Sequence, residues 1–420
     1  MEEISRAVTL MEQQKTEEAI AVLEDYLPKA NEEEKYTIAE LYNQWGMLEE
    51  AKMILLGLVQ QYPEEGELKL TLADIHIDLD EDQEAIELLN RFEPGDEEYL
   101  AVLVQLADLY QTQGLFEVAE QKLLDAKQLD PSEILIDFAL GELSFSNGEY
   151  QKAIPYYEKV YQQQAVFADV EVALRLGECL AATGEFEQAL TYYQTVETDQ
   201  SEVLFRYGFI AKKADRADIS IQAWEQVMEM DPDFQSVYFN LADTYEDEGR
   251  TEDAYDTAKK GLEVDELNKE LYLLAGSLAR KMGNTEEGYQ LAREAVSIDP
   301  GFKQAILFLV ENYKQDEDFE AIIDLLTHII ELGEDDGYYL WELANAYEKE
   351  ELFSEALKFY QEAYTTFKDD QDFLKEYGYF LVEEGRRQEA ITVLERYLRL
   401  DPSDTEIEEY VGRLKESFDI

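Results

Sequence analysis

The sequence has almost none of the residues that catalysis and export draw on. One cysteine, Cys179, stands among 420 residues, so no intramolecular disulfide can form and nothing points to an oxidising compartment. Histidine occurs twice, at His76 and His328. Lysine and arginine number 35 against 97 aspartates and glutamates, a net charge of −62. A field of that sign repels nucleic acid and anionic lipid and favours basic partners. Residues 1–210 hold 13 basic and 45 acidic residues and the remainder 22 and 52, so no acidic tail accounts for the imbalance. No apolar run approaches the ~20 residues of a membrane span. The N-terminal MEEISRAVTLMEQQ lacks the basic and apolar blocks of a signal peptide. A cytoplasmic chain without membrane attachment is expected. With 45% hydrophobic and 12% aromatic residues it is not a disordered acidic polymer.

Motifs for chemistry are also missing. There is no glycine–lysine phosphate loop, no GxGxxG after a strand and no EF-hand loop. GEDDGYY (333–339) lacks the alternating ligand spacing that calcium needs and reads as a turn. His76 replaces a tyrosine in an apolar stripe, and His328 in LLTHIIEL has no second histidine near it. Cys179 in LGECLAATG reads as a buried, inert thiol. No catalytic residue, metal ligand or cofactor is expected, and no enzyme. No run of basic and aromatic residues suggests direct nucleic-acid binding.

What the chain does have is repetition. LADLYQTQGLFEVAE (106–120) returns as LADTYEDEGRTEDAY (241–255). Aligning on the small residue that opens a second helix gives Ala19, Ala51, Ala85, Ala119, Ala153, Ala189, Ser220, Ala254, Gly288, Ile322, Ala356 and Ala390. The steps are 32, 34, 34, 34, 36, 31 and then 34 five times, which implies twelve units in one array over residues 1–403. Leu103, Leu106, Ala107 and Tyr110 form the apolar stripe of a first helix. A turn follows, often with glycine, as at Gly114 and Gly249, and the second helix frequently stops before proline, as at Pro131 and Pro232. Ile407, Val411, Leu414 and Phe418 form the stripe of a closing helix within residues 404–420.

Leu106, Ala107, Tyr110, Gly114, Ala119 and Pro131 resemble the signature of the tetratricopeptide repeat (TPR) family, and the resemblance covers essentially the whole chain. It extends to the all-TPR cytoplasmic proteins of the YpiA type from Firmicutes. The resemblance implies an all-α, right-handed superhelical solenoid whose first helices line a concave face. It also implies a non-catalytic scaffold or adaptor that binds a protein or peptide. Components of RNA polymerase or the ribosome are the leading partners, because basic partners are often parts of nucleic-acid machines. A peptide-responsive TPR regulator is the alternative, although the first repeat begins within ten residues and leaves no room ahead of it for an effector domain.

The 36 and 31 steps place extra length near 161–170 and a deficit near 197–205, read either as loop variation or as a hinge. Pro155 falls inside a second helix, where it should kink or weaken it. One exposed first-helix position, just after the small residue of the stripe, reads Val8, Glu40, Asp74, Asp108, Glu142, Glu178, Phe209, Asp243, Ser277, Glu311, Asn345 and Tyr379. Seven of the twelve are acidic where composition alone gives about three. A binding ladder for a basic segment and a solvated face both fit. A basic set one turn further on, Lys212, Lys213, Arg280, Lys281, Lys314 and Lys349, reads either as a second site for an acidic segment or as solvating charge.

Overall fold

A computed structural model describes residues 2–416 of the chain. Phe418 of the closing stripe lies outside the described residues. Helices dominate, and the chain divides into two compact units, Met1–Glu197 and Thr198–Ile420. The first unit pairs α1 (Glu2–Glu12) with α2 (Thr16–Tyr26), α3 (Glu32–Gln44) with α4 (Leu48–Gln61), and α5 (Gly66–Asp78) with α6 (Asp82–Leu89). It continues with α7 (Tyr99–Thr112) and α8 (Phe116–Leu129), α9 (Ile134–Ser146) and α10 (Tyr150–Tyr161), and α11 (Val172–Ala182) and α12 (Phe186–Tyr193). The second unit pairs α13 (Ser201–Lys213) with α14 (Ala217–Met230), α15 (Gln235–Asp247) with α16 (Thr251–Val264), and α17 (Lys269–Lys281) with α18 (Thr285–Ile298). Then come α19 (Lys303–Gln315) and α20 (Phe319–Glu331), α21 (Gly337–Lys349) and α22 (Phe353–Phe367), α23 (Gln371–Glu383) and α24 (Arg387–Leu400), and the closing α25 (Thr405–Glu416). Each unit is an all-α run of successive helix pairs, as the resemblance to the TPR family implies. Among the described residues no helix is long and apolar enough to cross a membrane.

Every residue of the aligned small-residue column is buried. The partner column, in the stripe of the first helix, varies in a compensating way. In the first four repeats it is alanine, at Ala7, Ala39, Ala73 and Ala107, and the second helix carries leucine four residues after its small residue. In the next three it is Gly141, Gly177 and Gly208, and the second helix supplies Tyr157, Tyr193 and Trp224. A Cβ on Gly141 would lie 2.9 Å from the Tyr157 ring, and one on Gly208 would lie 2.5 Å from Nε1 of Trp224. In these three repeats the first helix gives up a side chain and a ring from the second fills the space, whereas in the last repeat Gly378 faces Leu394. In the ninth repeat both sides are glycine, and a Cβ on Gly276 would stand 2.8 Å from the Gly288 carbonyl oxygen.

Each of the twelve turns places a residue with positive φ five positions before the aligned small residue. Gly46, Gly114, Gly148, Gly184, Gly249, Gly283 and Gly385 take this place, with φ from 72° to 89°. Gln14, Asp80, Asp215, Glu317 and Glu351 do the same with φ from 56° to 61°, against the steric preference of L-residues. The geometry lets the next amide reach back over the helix end, as from Leu115 N–H to the Tyr110 carbonyl at 2.8 Å.

The irregular spacing has two structural sources. The extra length holds a short hairpin, β1 (Val166–Phe167) and β2 (Val170–Glu171), turned by Ala168 and Asp169, both with positive φ. Phe167 carries the hairpin onto Phe138 of α9, with ring centroids 5.0 Å apart. The deficit corresponds to α12, which is only 8 residues long. Pro155 lies inside α10, and the helix runs on past it to Tyr161. Pro155 and Gln151, whose carbonyl loses its helical donor, both face solvent, so water can serve that carbonyl.

Candidate functional site

Seven acids of the ladder lie where their repeats predict, each on a first helix: Glu40 on α3, Asp74 on α5, Asp108 on α7, Glu142 on α9, Glu178 on α11, Asp243 on α15 and Glu311 on α19. The period dictates this, because the register that buries Ala39, Ala73 and Ala107 turns the following residue outward. Five of the seven occupy consecutive repeats of the first unit.

Hydrogen bonds between successive first helices show which residues stand beside the ladder. Gln105 Nε2 donates to Asp74 Oδ1 at 2.5 Å, bridging α7 to α5. Gln111 Nε2 donates to Ser146 Oγ at 3.3 Å, bridging α7 to α9. Arg175 Nε donates to Glu142 Oε1 at 2.9 Å, and its Nη1 reaches Glu178 Oε2 at 3.4 Å. Glu142 also accepts from the Tyr157 hydroxyl at 2.6 Å. Burial, and then this bond to a carboxylate, push the Tyr157 phenol far up. Glu142 therefore joins α9 to α11 through Arg175, while Glu178 pairs with Arg175 within α11; both are only partly exposed. By contrast, no cation among the described residues lies within ion-pair distance of Glu40, Asp74 or Asp108. The helices α7 and α9 contain no lysine or arginine at all. Partial withdrawal from water, and then repulsion from Asp78, raise the Asp74 carboxyl.

The second unit bridges its first helices with cations. Lys212 pairs with Asp243 of the next repeat and stands 3.4 Å from Asp247. Arg280 grips both oxygens of Asp316 at 3.0 Å each. Lys281 pairs with Glu246, and Lys314 with the buried Glu342. Lys213 sits over the Phe209 ring, 5.4 Å from its centroid, and Lys349 is exposed. Four of the six cations of the basic set are thus engaged with acids of a neighbouring repeat. Asp243 is neutralised in the same way, while Glu311 remains exposed.

Several partners escaped the sequence reading. Gln105, Arg175, Glu342 and Glu376 occupy one column, three residues before the ladder position, and reading that column would have found them. Trp341 Nε1 donates to Glu376 Oε2 at 2.9 Å. Burial, with repulsion from Glu348 and Glu342, raises the Glu376 carboxyl. His76 is buried, with Nδ1 2.7 Å from Glu81 Oε2. Burial pushes the Cys179 thiol up to about 12. Asp336 of GEDDGYY caps α21 by accepting from the Tyr338 amide at 2.9 Å.

Comparison with known proteins matches models for YpiA-like tetratricopeptide repeats at residues 111–165 and for YpiA-like C-terminal tetratricopeptide repeats at 338–404. A general tetratricopeptide-repeat model matches 235–266 and 269–302. The chain is 40% identical over 417 residues to the TPR repeat-containing protein YpiA of Bacillus subtilis strain 168, covering 99% of each chain. Among solved structures, the C-terminal part of a TPR repeat-containing protein from Cytophaga hutchinsonii is 17% identical, covering 56% of this chain and 98% of its own, with a TM-score of 0.48. YrrB, described as a TPR protein with an unusual peptide-binding site, is 14% identical, covering 44% and 95%, with a TM-score of 0.38.

Proposed function

Because the chain belongs to the YpiA-like family of tetratricopeptide-repeat proteins, we propose that it is a non-catalytic scaffold whose first helices hold a basic, or mixed polar and aromatic, segment of a partner protein. The observation that carries this reading is the run of Glu40, Asp74 and Asp108 on successive first helices with no cation paired to them among the described residues. Helix packing sets such carboxylates roughly 10 Å apart. That is close to the Debye length of ~8 Å at physiological salt, so their fields reinforce one another along the face. A basic segment is drawn in by the whole row rather than by any one acid. Glu142 and Glu178, with Arg175 between them, continue the row as a mixed-charge end.

Four cations of the basic set, Lys212, Arg280, Lys281 and Lys314, are read as joining adjacent repeats, since they already face acids there. The partner is sought in the cytoplasm, and subunits of RNA polymerase and ribosomal proteins are the first to test. Affinity purification of the full chain from its native cell, at low and at high salt, provides that test. A partner retained at low salt and lost at high salt supports the reading. Partners that stay bound regardless of salt count against it.

A further inference from the structure

Among the second helices α2, α4 and α6, the middle one departs from its neighbours. Outward positions of α2 and α6 carry charge, at Glu17, Glu24 and Asp25 on one and Glu84 and Glu87 on the other. Between them α4 turns Met53, Leu56, Gly57 and Gln60 to solvent, at spacing i, i+3, i+4 and i+7, one stripe down an exposed helix face. Met53 is 66% exposed and Leu56 41%. A Cβ on Gly57 would meet nothing within 4 Å. Glycine inside a helix costs ~1 kcal/mol relative to alanine, and no packing within this chain requires it there.

A groove borders the stripe on each side. One, of about 500 Å³, runs between α2 and α4 and is edged by Glu24 and Glu50 with Lys35. The other, of about 1150 Å³, runs between α4 and α6 and continues along the loop after α6. It stays open because α6 has only 8 residues. Eight acids line it, among them Glu64, Glu84, Glu87 and Glu93, against Lys69 and Arg91. An apolar ridge between two acidic margins is complementary to a helix that is apolar on one side and basic on the other. A second copy of this chain would bring the same acids against these margins, and like charges facing each other oppose association.

We propose that Met53, Leu56 and Gly57 form a second docking surface, for a basic amphipathic helix of a partner protein. The apolar side of that helix seats on the stripe, and its lysines and arginines face the two acid margins. The surface lies on a second helix, independent of the first-helix ladder, so a partner could engage either one alone.

The test uses the full chain with Gln60→Cys labelled by an environment-sensitive dye; the buried Cys179 does not compete for the label. The probe is a synthetic 18-residue peptide with leucines at i, i+3, i+4 and i+7 and lysines elsewhere. Its control is a scrambled peptide of identical composition, both titrated at 150 mM salt. The ordered peptide should give a saturable dye response at least about tenfold tighter than the scrambled one. Met53→Ser/Leu56→Ser and, separately, Gly57→Lys should each weaken it about tenfold or more. These residues are exposed, and an unchanged helical circular dichroism signal confirms that the variants fold. Asp74→Asn/Asp108→Asn should leave the dye response intact. Equal binding of the two peptides overturns the proposal. So does wild-type affinity in both stripe variants, or loss of the response in the first-helix variant.

Discussion

A methyl group built on the Cα of Gly177 would lie 2.5 Å from the ring of Tyr193. The glycine on α11 and the tyrosine on α12 are one packing unit, the same volume that alanine and leucine share in the first four repeats.

Gly177→Ala should therefore destabilise the chain, although alanine is the better helix former by ~1 kcal/mol. Overlap with the ring costs ~1–3 kcal/mol, so a net loss of up to about 2 kcal/mol is expected in urea unfolding. Adding Tyr193→Leu rebuilds the alanine–leucine pair and should recover part of that loss. Additive effects of the two changes would show that the residues are not coupled.

Ser220 gives the opposite sign. It stands in the aligned small-residue column with no accessible surface, and its hydroxyl has no hydrogen-bond partner among the described residues. Ser220→Ala should stabilise the chain by about 1 kcal/mol, because a buried unpaired hydroxyl is costly. A lowered melting temperature would mean that the hydroxyl does find a partner.

These two cases also mark how far the sequence can be read. The period of 34 places the helix pairs and the buried aligned column, because every repeat buries the same helix faces against its partner. The exchange of Gly177 with Tyr193 is visible in the same alignment once two columns are compared. The hairpin at 166–171 is not, because two-residue strands carry no alternation to detect. For the candidate site, the period fixes the helix on which each ladder acid sits. It does not reveal that Lys314 meets Glu342, since pairing between repeats depends on the offset of adjacent helices. Nor does it separate Asp108, free of cations, from Asp243, which Lys212 neutralises.

The raised carboxyl of Glu376 predicts a pH dependence. The folded chain holds that proton more tightly than the unfolded one, so ionising it costs stability. The cost is present at neutral pH and disappears as pH falls through the raised value to the ordinary 4.5. Glu376→Gln keeps an acceptor for Trp341 and removes the charge. Its urea midpoint should exceed wild type at pH 7, with the difference closing by about pH 4. A constant difference across that range would place the effect elsewhere.

The five non-glycine turn residues predict a gain. Glu351 has φ 58°, a conformation that glycine adopts without strain. Glu351→Gly should raise stability by up to about 1 kcal/mol, the strain relieved exceeding the extra freedom of the unfolded chain. A loss in thermal unfolding would indicate that the Glu351 side chain matters more than its backbone.

The ladder is tested by neutralising Glu40, Asp74 and Asp108 together with glutamine and asparagine. Glu142 and Glu178 are left alone because they hold Tyr157 and Arg175. The control neutralises Glu117, Glu158 and Glu187, exposed acids of second helices, and changes net charge equally. Glu120 would be a poor control because it pairs with Lys152. Affinity for a basic partner should fall at least about fivefold in the ladder variant, with a flatter salt dependence. Equal losses in both variants would assign the effect to net charge alone.

Side-chain bonds that join one repeat to the next connect residues close in sequence, such as Lys127 and Asp137, 10 apart, Tyr289 and Asp316, 27 apart, and Arg280 and Asp316, 36 apart. During synthesis each repeat acquires its partners as soon as the following repeat leaves the ribosome. Ordering can thus keep pace with elongation, without waiting for distant segments. It can also be undone the same way, one repeat at a time from an end under load. Such a chain would lengthen in steps of about 34 residues rather than fail all at once.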